Sequence, residues 1–314
     1  MRLVTYQREG QVRVGAQLAE QVVDLNRAYR GALQQAGNVD ELAVADVRVP
    51  TDMLGLLSGG EASLKAAQQA LAFAQGQLAD KTVGQRGIVY AMESVSLLSP
   101  VLRPGKLVCL GLNYRDHAAE SGMAVPEYPV LFHKVAGSLV GPDQPIVIPP
   151  ITDRVDYEAE LAIIIGKRGK YISEAQAFSY IAGYAPANDV SARDLQFRTG
   201  QWTTGKMLDT FCPLGPALVT RDEVPNPNKL AIRTILNGQV LQNGNTADMI
   251  FSVPFIVSYI SQIATLEPGD VILTGTPAGI GNARKPPIFL KPGDTVTIEI
   301  ESLGSLTNPV VAEG

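Results

Sequence analysis

The sequence is poor in cysteine, histidine and aromatic residues. Of 314 residues, two are cysteines, two are histidines and 6% are aromatic. The cysteines, Cys109 and Cys212, cannot build a disulfide framework and suit a reducing compartment, so we expect them to be packing residues. So few aromatic side chains argue against a surface that stacks on nucleic-acid bases.

The chain also lacks an excess of positive charge and long apolar runs. Its net charge is −5, which leaves no basic footprint for nucleic acid. No apolar run approaches the roughly 20 residues that cross a bilayer, and residues 1–6 enter a strand pattern rather than a signal or transit segment. We therefore expect a cytoplasmic protein without a nucleic-acid or membrane partner.

Local patterns divide the chain into two parts. Residues 1–98 read as a small α/β domain, with short strands at 3–6, 12–15 and 22–25 followed by helices at 28–35 and 62–78. Gly59-Gly60 and Gly84 mark the limits of the second helix. Two prolines and a glycine within residues 98–105 interrupt both periodicities, which predicts a boundary there.

Residues 99–314 are rich in strands, and we predict an α+β fold overall. Strands are expected at 106–111, 145–148, 157–166, 181–189, 231–236, 271–274 and 295–300, with helices at 116–120, 172–178 and 252–263. Asn237-Gly238 predicts a hairpin turn, and Pro268-Gly269 and Pro292-Gly293 predict type II turns before strands.

The most informative feature is a pair of glutamates, Glu158 and Glu160, in an apolar strand pattern. Residues i and i+2 of a strand share one face, so both carboxylates should aim at one point. A divalent cation would relieve their repulsion, and oxygen ligands favour Mg²⁺, Mn²⁺ or Ca²⁺. The alternative is that one glutamate pairs with an arginine and the other meets solvent at a strand end.

Two further constellations accompany the pair. Asp189 ends the apolar stretch 180–189 and is the best third ligand, although it could instead cap the following turn. His117 and Glu120, three residues apart, lie on one face of a helical turn, where the carboxylate can orient the imidazole for proton transfer. An ordinary surface ion pair is the alternative for them.

Five motifs in order resemble the fumarylacetoacetate hydrolase superfamily over roughly residues 100–311. They are Asn113-Tyr114-x-Asp116-His117-x-x-Glu120, Asp156-Tyr157-Glu158-x-Glu160-Leu161, Asn188-Asp189-Val190-Ser191-Ala192-Arg193-Asp194, Lys206, and Thr274-Gly275-Thr276-Pro277. The resemblance is to longer members with a small N-terminal domain. It implies a β-rich catalytic roll with a mixed sandwich, usually dimeric, so a homodimer is expected.

The resemblance also implies roles for individual residues. Glu158, Glu160 and Asp189 would bind Mg²⁺ or Mn²⁺, with Ca²⁺ possible in a crystal. His117 and Glu120 would form an acid/base dyad on a lid. The remaining roles fall to Lys206, which would hold the substrate and steady negative charge, to Gln196 near it, and to Gly275 and Thr276, which would receive a carboxylate.

These roles predict an enzyme acting on a small 2-oxo or β-diketo acid. The first expectation is hydrolytic C–C cleavage of an acylpyruvate-like substrate through a stabilised enolate. The alternative uses the same site for tautomerisation, isomerisation or decarboxylation of an oxaloacetate-like diacid. A non-catalytic binding protein would be expected to lack a ligand or dyad residue, and none is missing. His133 has no predicted role.

Overall fold

The computed structural model describes residues 1–78 and 86–314. Gly84, predicted to follow the second helix, lies outside the described residues. Within the described part of the chain, every helix is too short or too polar to cross a membrane.

The described residues form twenty strands and eight α-helices. In chain order the strands are β1 (Arg2–Arg8), β2 (Gln11–Leu18), β3 (Gln21–Asp24), β4 (Val89–Ala91), β5 (Ser96–Leu98), β6 (Leu107–Gly111), β7 (Val130–His133), β8 (Leu139–Val140), β9 (Ile146–Ile148), β10 (Val155–Asp156), β11 (Ala159–Ile165), β12 (Ile181–Asn188), β13 (Ser191–Ala192), β14 (Cys212–Pro213), β15 (Leu218–Thr220), β16 (Ala231–Leu236), β17 (Gln239–Asn245), β18 (Val271–Leu273), β19 (Thr295–Ile300) and β20 (Gly304–Ala312). The helices are α1 (Leu25–Gln35), α2 (Glu41–Arg48), α3 (Met53–Ser58), α4 (Gly60–Gln77), α5 (Arg115–Glu120), α6 (Glu174–Ala177), α7 (Arg193–Gln196) and α8 (Val253–Ile263). The predicted α+β, strand-rich class is confirmed.

One sheet joins the two predicted parts of the chain. Its strands lie in the order β4-β3-β2-β1-β15-β12-β11-β18-β6-β7, and β5 also pairs with β1. A second sheet has the order β17-β16-β19-β20-β9. Because β1 pairs with β15, the sheet is continuous across the proposed boundary at residues 98–99. The two-domain division stays a prediction.

Strand β11 is buried on both faces, which explains its unbroken apolar sequence. Leu161 and Ile163 pack in the core beneath the second sheet, whereas Ala162 and Ile164 pack in the core shared with the N-terminal helices. Side chains alternate along a strand, so Glu160 projects to the same face as Ala162. The end of β11 that carries Glu160 is therefore covered by protein on both faces.

Most predicted elements lie within a few residues of the observed ones, and the differences have local causes. Asn237 and Gly238 both have positive φ, 50° and 82°, as the predicted hairpin turn requires. Helix α1 begins three residues earlier than predicted, because the Asp24 side chain caps it by accepting from the Arg27 N–H at 2.9 Å. The elements that were not predicted are helices α2, α3 and α7, the long strand β20 and the short strands β4, β5, β7, β8, β10, β13, β14 and β15.

Candidate active site

Three buried carboxylates meet at one end of β11 and β12. Glu160 is the second residue of β11, Glu158 lies just before that strand, and Asp189 directly follows β12. One oxygen of each group lies within 4.8 Å of the others. The predicted convergence is confirmed, although Glu158 lies outside the strand that was expected to contain it.

Glu158 is balanced by two buried cations. Lys206 Nζ donates to Glu158 Oε2 at 2.8 Å, and Arg193 Nη2 lies 2.7 Å from Oε1. Burial opposes the ionised form, but the positive charges of Lys206 and Arg193 outweigh it and lower the pKa of Glu158. The arginine pairing considered for one glutamate is therefore present.

Glu160 lacks such balance. Among the described residues it forms no ion pair, and its Oε2 accepts one hydrogen bond, from the Gly275 N–H at 2.7 Å. The side chain is 1% exposed, so it does not meet solvent as the alternative reading required. Burial, followed by the charges of Asp189 and Glu158, raises the pKa of Glu160.

Two lysines enclose Asp189. Lys206 Nζ donates to Asp189 Oδ2 at 2.8 Å, and Lys134 Nζ donates to Oδ1 at 2.6 Å and to the Val190 carbonyl at 3.0 Å. Burial disfavours the ammonium of Lys206, but Asp189 and Glu158 outweigh that effect, so the pKa of Lys206 is raised and the group stays charged. Each oxygen of Asp189 therefore accepts from a buried ammonium group rather than from the N–H groups of the following turn.

Sequence reasoning missed Lys134, although a signal was available. Strand β7 alternates, so that Phe132 is buried, His133 is exposed and Lys134, just past the strand, is buried again. A lysine at an inward position of an alternating strand indicates a buried anion partner. His133 points away from the site, which agrees with the absence of a predicted role.

Arg193 links the acid cluster to the loop that closes the cavity. Its Nε donates to Asp156 Oδ2 at 2.8 Å while its Nη2 reaches Glu158. Asp156 in turn accepts from the Gly281 and Asn282 N–H groups at 2.8 and 2.9 Å. Both residues belong to predicted motifs but had no assigned role, and together they fix the position of residues 281–282.

His117 and Glu120, predicted to act as a dyad, are in contact on α5. His117 Nδ1 lies 2.9 Å from Glu120 Oε1, and His117 is 7% exposed, so the pair is no ordinary surface contact. The other oxygen of Glu120 accepts from the Gly279 N–H at 2.9 Å. This second bond ties α5 to the loop that carries Thr276.

A cavity of about 290 Å³ opens among these groups. Its lining includes seven of the predicted site residues, His117, Glu120, Glu158, Glu160, Gln196, Lys206 and Thr276, together with apolar side chains such as Phe132, Trp202 and Ile280. Asp189 and Gly275 lie behind this surface and contact it through Lys206 and Glu160. The predicted residues therefore surround one cavity.

Gly275 serves the acid cluster directly. Its φ is +95°, and an added Cβ would lie 2.8 Å from the Asn113 Cβ, so a side chain is excluded here. Its N–H, predicted to receive a substrate carboxylate, is instead donated to Glu160. Thr276 is the member of this pair that faces the cavity.

The buried carboxylates suit a cation that prefers oxygen ligands. Four carboxylates face three cations in the cluster: Asp156, Glu158, Glu160 and Asp189 against Lys134, Arg193 and Lys206. Four minus three leaves one carboxylate without a cationic partner, Glu160, and its raised pKa favours the protonated form when no metal is bound. The triad supplies only oxygen donors, and such a set could hold a divalent metal ion.

The two cysteines are not part of this chemistry. Cys109 and Cys212 are buried and free. Burial raises the pKa of the Cys109 thiol well above its usual value and that of Cys212 to about 12. Neither is a thiolate near neutral pH, as expected for packing residues.

Comparison with known proteins identifies the family. A family model described as fumarylacetoacetate (FAA) hydrolase, C-terminal, matches residues 106–311, which is more than half of the chain. The chain belongs to the fumarylacetoacetate hydrolase family, and it is an enzyme of that family.

Several relatives are similar over nearly the whole chain. The oxaloacetate tautomerase of Xenopus laevis is 46% identical over 281 residues, covering 89% of this chain and 84% of the relative. The human oxaloacetate tautomerase is 48% identical over 277 residues, covering 88% and 84%.

Solved structures share the fold. A fumarylacetoacetate hydrolase from Exiguobacterium antarcticum superposes with a TM-score of 0.77 at 34% identity and covers 100% of both chains. A 2-hydroxyhepta-2,4-diene-1,7-dioate isomerase from Mycobacterium marinum gives 0.72 at 35% identity, covering 100% of this chain and 99% of that one.

The relatives correct one expectation. The similar tautomerases from Xenopus laevis, rat, human and cow are all named as mitochondrial. The prediction of a cytoplasmic location is therefore wrong. It rested on the lack of a signal or transit pattern in the first residues and of a long apolar run.

Proposed function

We propose that the protein interconverts the keto and enol forms of oxaloacetate or of a similarly small 2-oxo diacid. The observation that carries this proposal is the similarity to relatives named oxaloacetate tautomerase, at 46–48% identity over 88–89% of this chain. A cavity of about 290 Å³ suits a substrate of few atoms. This reaction was the alternative expected from the sequence, and it now has better support than hydrolysis.

His117 is the residue placed to move the carbon proton. In the keto-to-enol direction one proton leaves carbon 3 and one is added to the oxygen on carbon 2, so no water is consumed. Glu120 accepts from Nδ1 of His117 at 2.9 Å, which leaves the Nε2 lone pair for the substrate. The carboxylate also stabilises the imidazolium that forms, as in other general-base pairs.

Lys206 supplies fixed positive charge to the developing oxyanion. Its raised pKa means that it acts as a charge and not as a base. A Mg²⁺ or Mn²⁺ ion held by Glu158, Glu160 and Asp189 would supply a Lewis acid that polarises the keto group. Thr276 and Gln196 then remain to bind a carboxylate of the diacid.

The proposal is tested by following both forms of the substrate. Oxaloacetate enriched in its enol form is mixed with enzyme and Mg²⁺, and the keto and enol signals are followed by ¹H NMR. Faster interconversion without new products is the expected result. An acylpyruvate is the parallel substrate, because a hydrolase would release pyruvate from it. Pyruvate release with no change in the oxaloacetate tautomers would overturn the proposal in favour of hydrolysis.

We also propose a homodimer, which the family resemblance implies. The measurement is the molar mass in solution by light scattering, and a mass of one chain at micromolar concentration would contradict it.

A further inference from the structure

A buried glutamine connects the acid pair to the cavity. Gln242, on β17, is 0% exposed and makes four hydrogen bonds through its side chain. Its Oε1 accepts from the Ala159 N–H at 2.9 Å and from Thr234 Oγ1 at 2.7 Å. Its Nε2 donates to Thr276 Oγ1 at 2.9 Å and to the Pro277 carbonyl at 2.8 Å.

The backbone partners determine which way this amide points. A peptide N–H can only donate, so the end that faces Ala159 must be the oxygen. A carbonyl can only accept, so the end that faces Pro277 must be the nitrogen. The two hydroxyls follow from this, since Thr234 has to donate and Thr276 has to accept.

The consequence for Thr276 is that its hydroxyl proton must point away from Gln242. One lone pair of Oγ1 is taken by Gln242, and within the described residues the hydroxyl donates to no protein acceptor. Thr276 lines the cavity at 3% exposure. The geometry points to Gln242 as a positioning residue that keeps Thr276 a hydrogen-bond donor towards an oxygen of the bound acid.

The same amide couples this subsite to the acid pair. Ala159, whose N–H it holds, lies between Glu158 and Glu160. A carboxylate oxygen accepts strongly from a hydroxyl, whereas an ammonium or guanidinium group has no lone pair to accept that proton. This inference rests on the proposed function, because it assigns a place to one carboxylate of the 2-oxo diacid.

A double-mutant cycle tests the coupling. The variants are Gln242→Met, Thr276→Val and the double variant, and two quantities are measured: KM and kcat for oxaloacetate, and the Kd of oxalate with Mg²⁺ by calorimetry. Each single change should weaken oxalate binding and raise KM on the order of tenfold with a smaller change in kcat, as loss of a hydrogen bond to a charged group does. The double variant should be no weaker than either single one, because both remove the same donor.

Thr234→Val is the matched control. It removes a hydrogen bond of the same amide at the other end, but Ala159 still fixes the orientation, so KM and the oxalate Kd should be unchanged. Thr276→Ser keeps the hydroxyl and should restore binding relative to Thr276→Val. Should Gln242→Met fail to fold, Gln242→Glu replaces it, since an oxygen facing Thr276 takes its proton and should weaken oxalate binding at least as much.

The outcomes separate this inference from the proposed function. The role of Gln242 would be overturned if the losses of oxalate affinity in the two single variants multiplied in the double variant. It would also be overturned if Thr234→Val lost as much affinity as Gln242→Met. Failure of the wild-type protein to bind oxalate with Mg²⁺ would overturn it as well. Oxalate binding with the expected cycle but without turnover of oxaloacetate would uphold the role and refute the tautomerase activity.

Discussion

Lys134 and Asp189 form an ion pair in which both side chains are 0% exposed, with 2.6 Å between Nζ and Oδ1. In the described residues no other ion pair has both partners so completely buried. Desolvation of two charges is costly, and the pair persists because each member has further hydrogen bonds. Lys134 therefore helps to fix the orientation of Asp189.

Replacing Lys134 by methionine should destabilise the metal-free protein by about 3–5 kcal/mol, the range for removing one partner of a buried pair. The reason is that Asp189 then loses one of its two cationic partners in a buried site. Stabilisation by Mg²⁺ should be larger in this variant than in the wild type. Thermal unfolding with and without Mg²⁺ measures both effects.

Arg168→Met is the control for that measurement. Arg168 and Glu267 are also an ion pair at 2.9 Å, but their side chains are 72% and 42% exposed. Loss of this exposed ion pair should lower the free energy of unfolding by less than about 1 kcal/mol. Equal losses in both variants would contradict the role assigned to Lys134.

Glu160→Gln should remove metal binding without harming the metal-free fold. Gln is isosteric and its oxygen can still accept from the Gly275 N–H, while the cost of burying an ionisable carboxyl group beside Glu158 and Asp189 disappears. The unfolding temperature without metal should therefore be equal to or above that of the wild type. Mn²⁺ at a hundred times its Kd should raise the free energy of unfolding of the wild type by about 2.7 kcal/mol, and Glu160→Gln should lose this stabilisation.

Glu299→Gln is the matched control for the metal experiment, because Glu299 pairs with Arg233 at the surface, 2.8 Å away. It should leave the Mn²⁺ shift intact. A Mn²⁺ shift of wild-type size in Glu160→Gln would show that the triad is not the metal site.

The acid triad could be predicted from the sequence because its geometry is mostly local. Strand alternation predicted that Glu158 and Glu160 converge, which holds although Glu158 lies just before β11, and Asp189 ends a neighbouring apolar stretch. The His117–Glu120 pair follows in the same way from the helical repeat. Each of these inferences needs only a few consecutive residues.

The partners of the groups that support the triad could not be predicted, because they depend on distant pairing. Gln242 is 83 residues from Ala159, whose N–H it holds, and Lys134 is 55 residues from Asp189. Which strand lies beside which is decided by tertiary packing. The same reason applies to β1, which joins β15 and makes the sheet continuous where the sequence indicated a boundary.

Arg193→Lys should lower both stability and metal affinity although the charge is kept. The guanidinium contacts Asp156 and Glu158 at once, at 2.8 and 2.7 Å, which a single ammonium cannot reproduce. We expect a loss of about 2 kcal/mol or more, because a buried acceptor is left without its partner. Chemical denaturation and Mn²⁺ titration provide the two readouts.

Arg233→Lys serves as the comparison, since its pair with Glu299 is solvent-exposed and tolerates an ammonium. Its stability should change by less than about 0.5 kcal/mol. If the two arginine variants were equally stable, the two-pronged contact of the Arg193 guanidinium with Asp156 and Glu158 would not contribute to stability.

His117→Ala should lower kcat for oxaloacetate tautomerisation by about 10²–10⁴-fold, the range for loss of a general base, with a smaller change in KM. The chain supplies its own control, because its other histidine, His133, is exposed and absent from the cavity lining. His133→Ala should leave kcat unchanged. Stopped-flow measurement of the enol signal compares both variants under one condition. Unchanged turnover in His117→Ala would mean that another group transfers the proton, and it would refute the dyad. The reason is that, in this mechanism, Glu120 acts on the substrate only through the imidazole of His117.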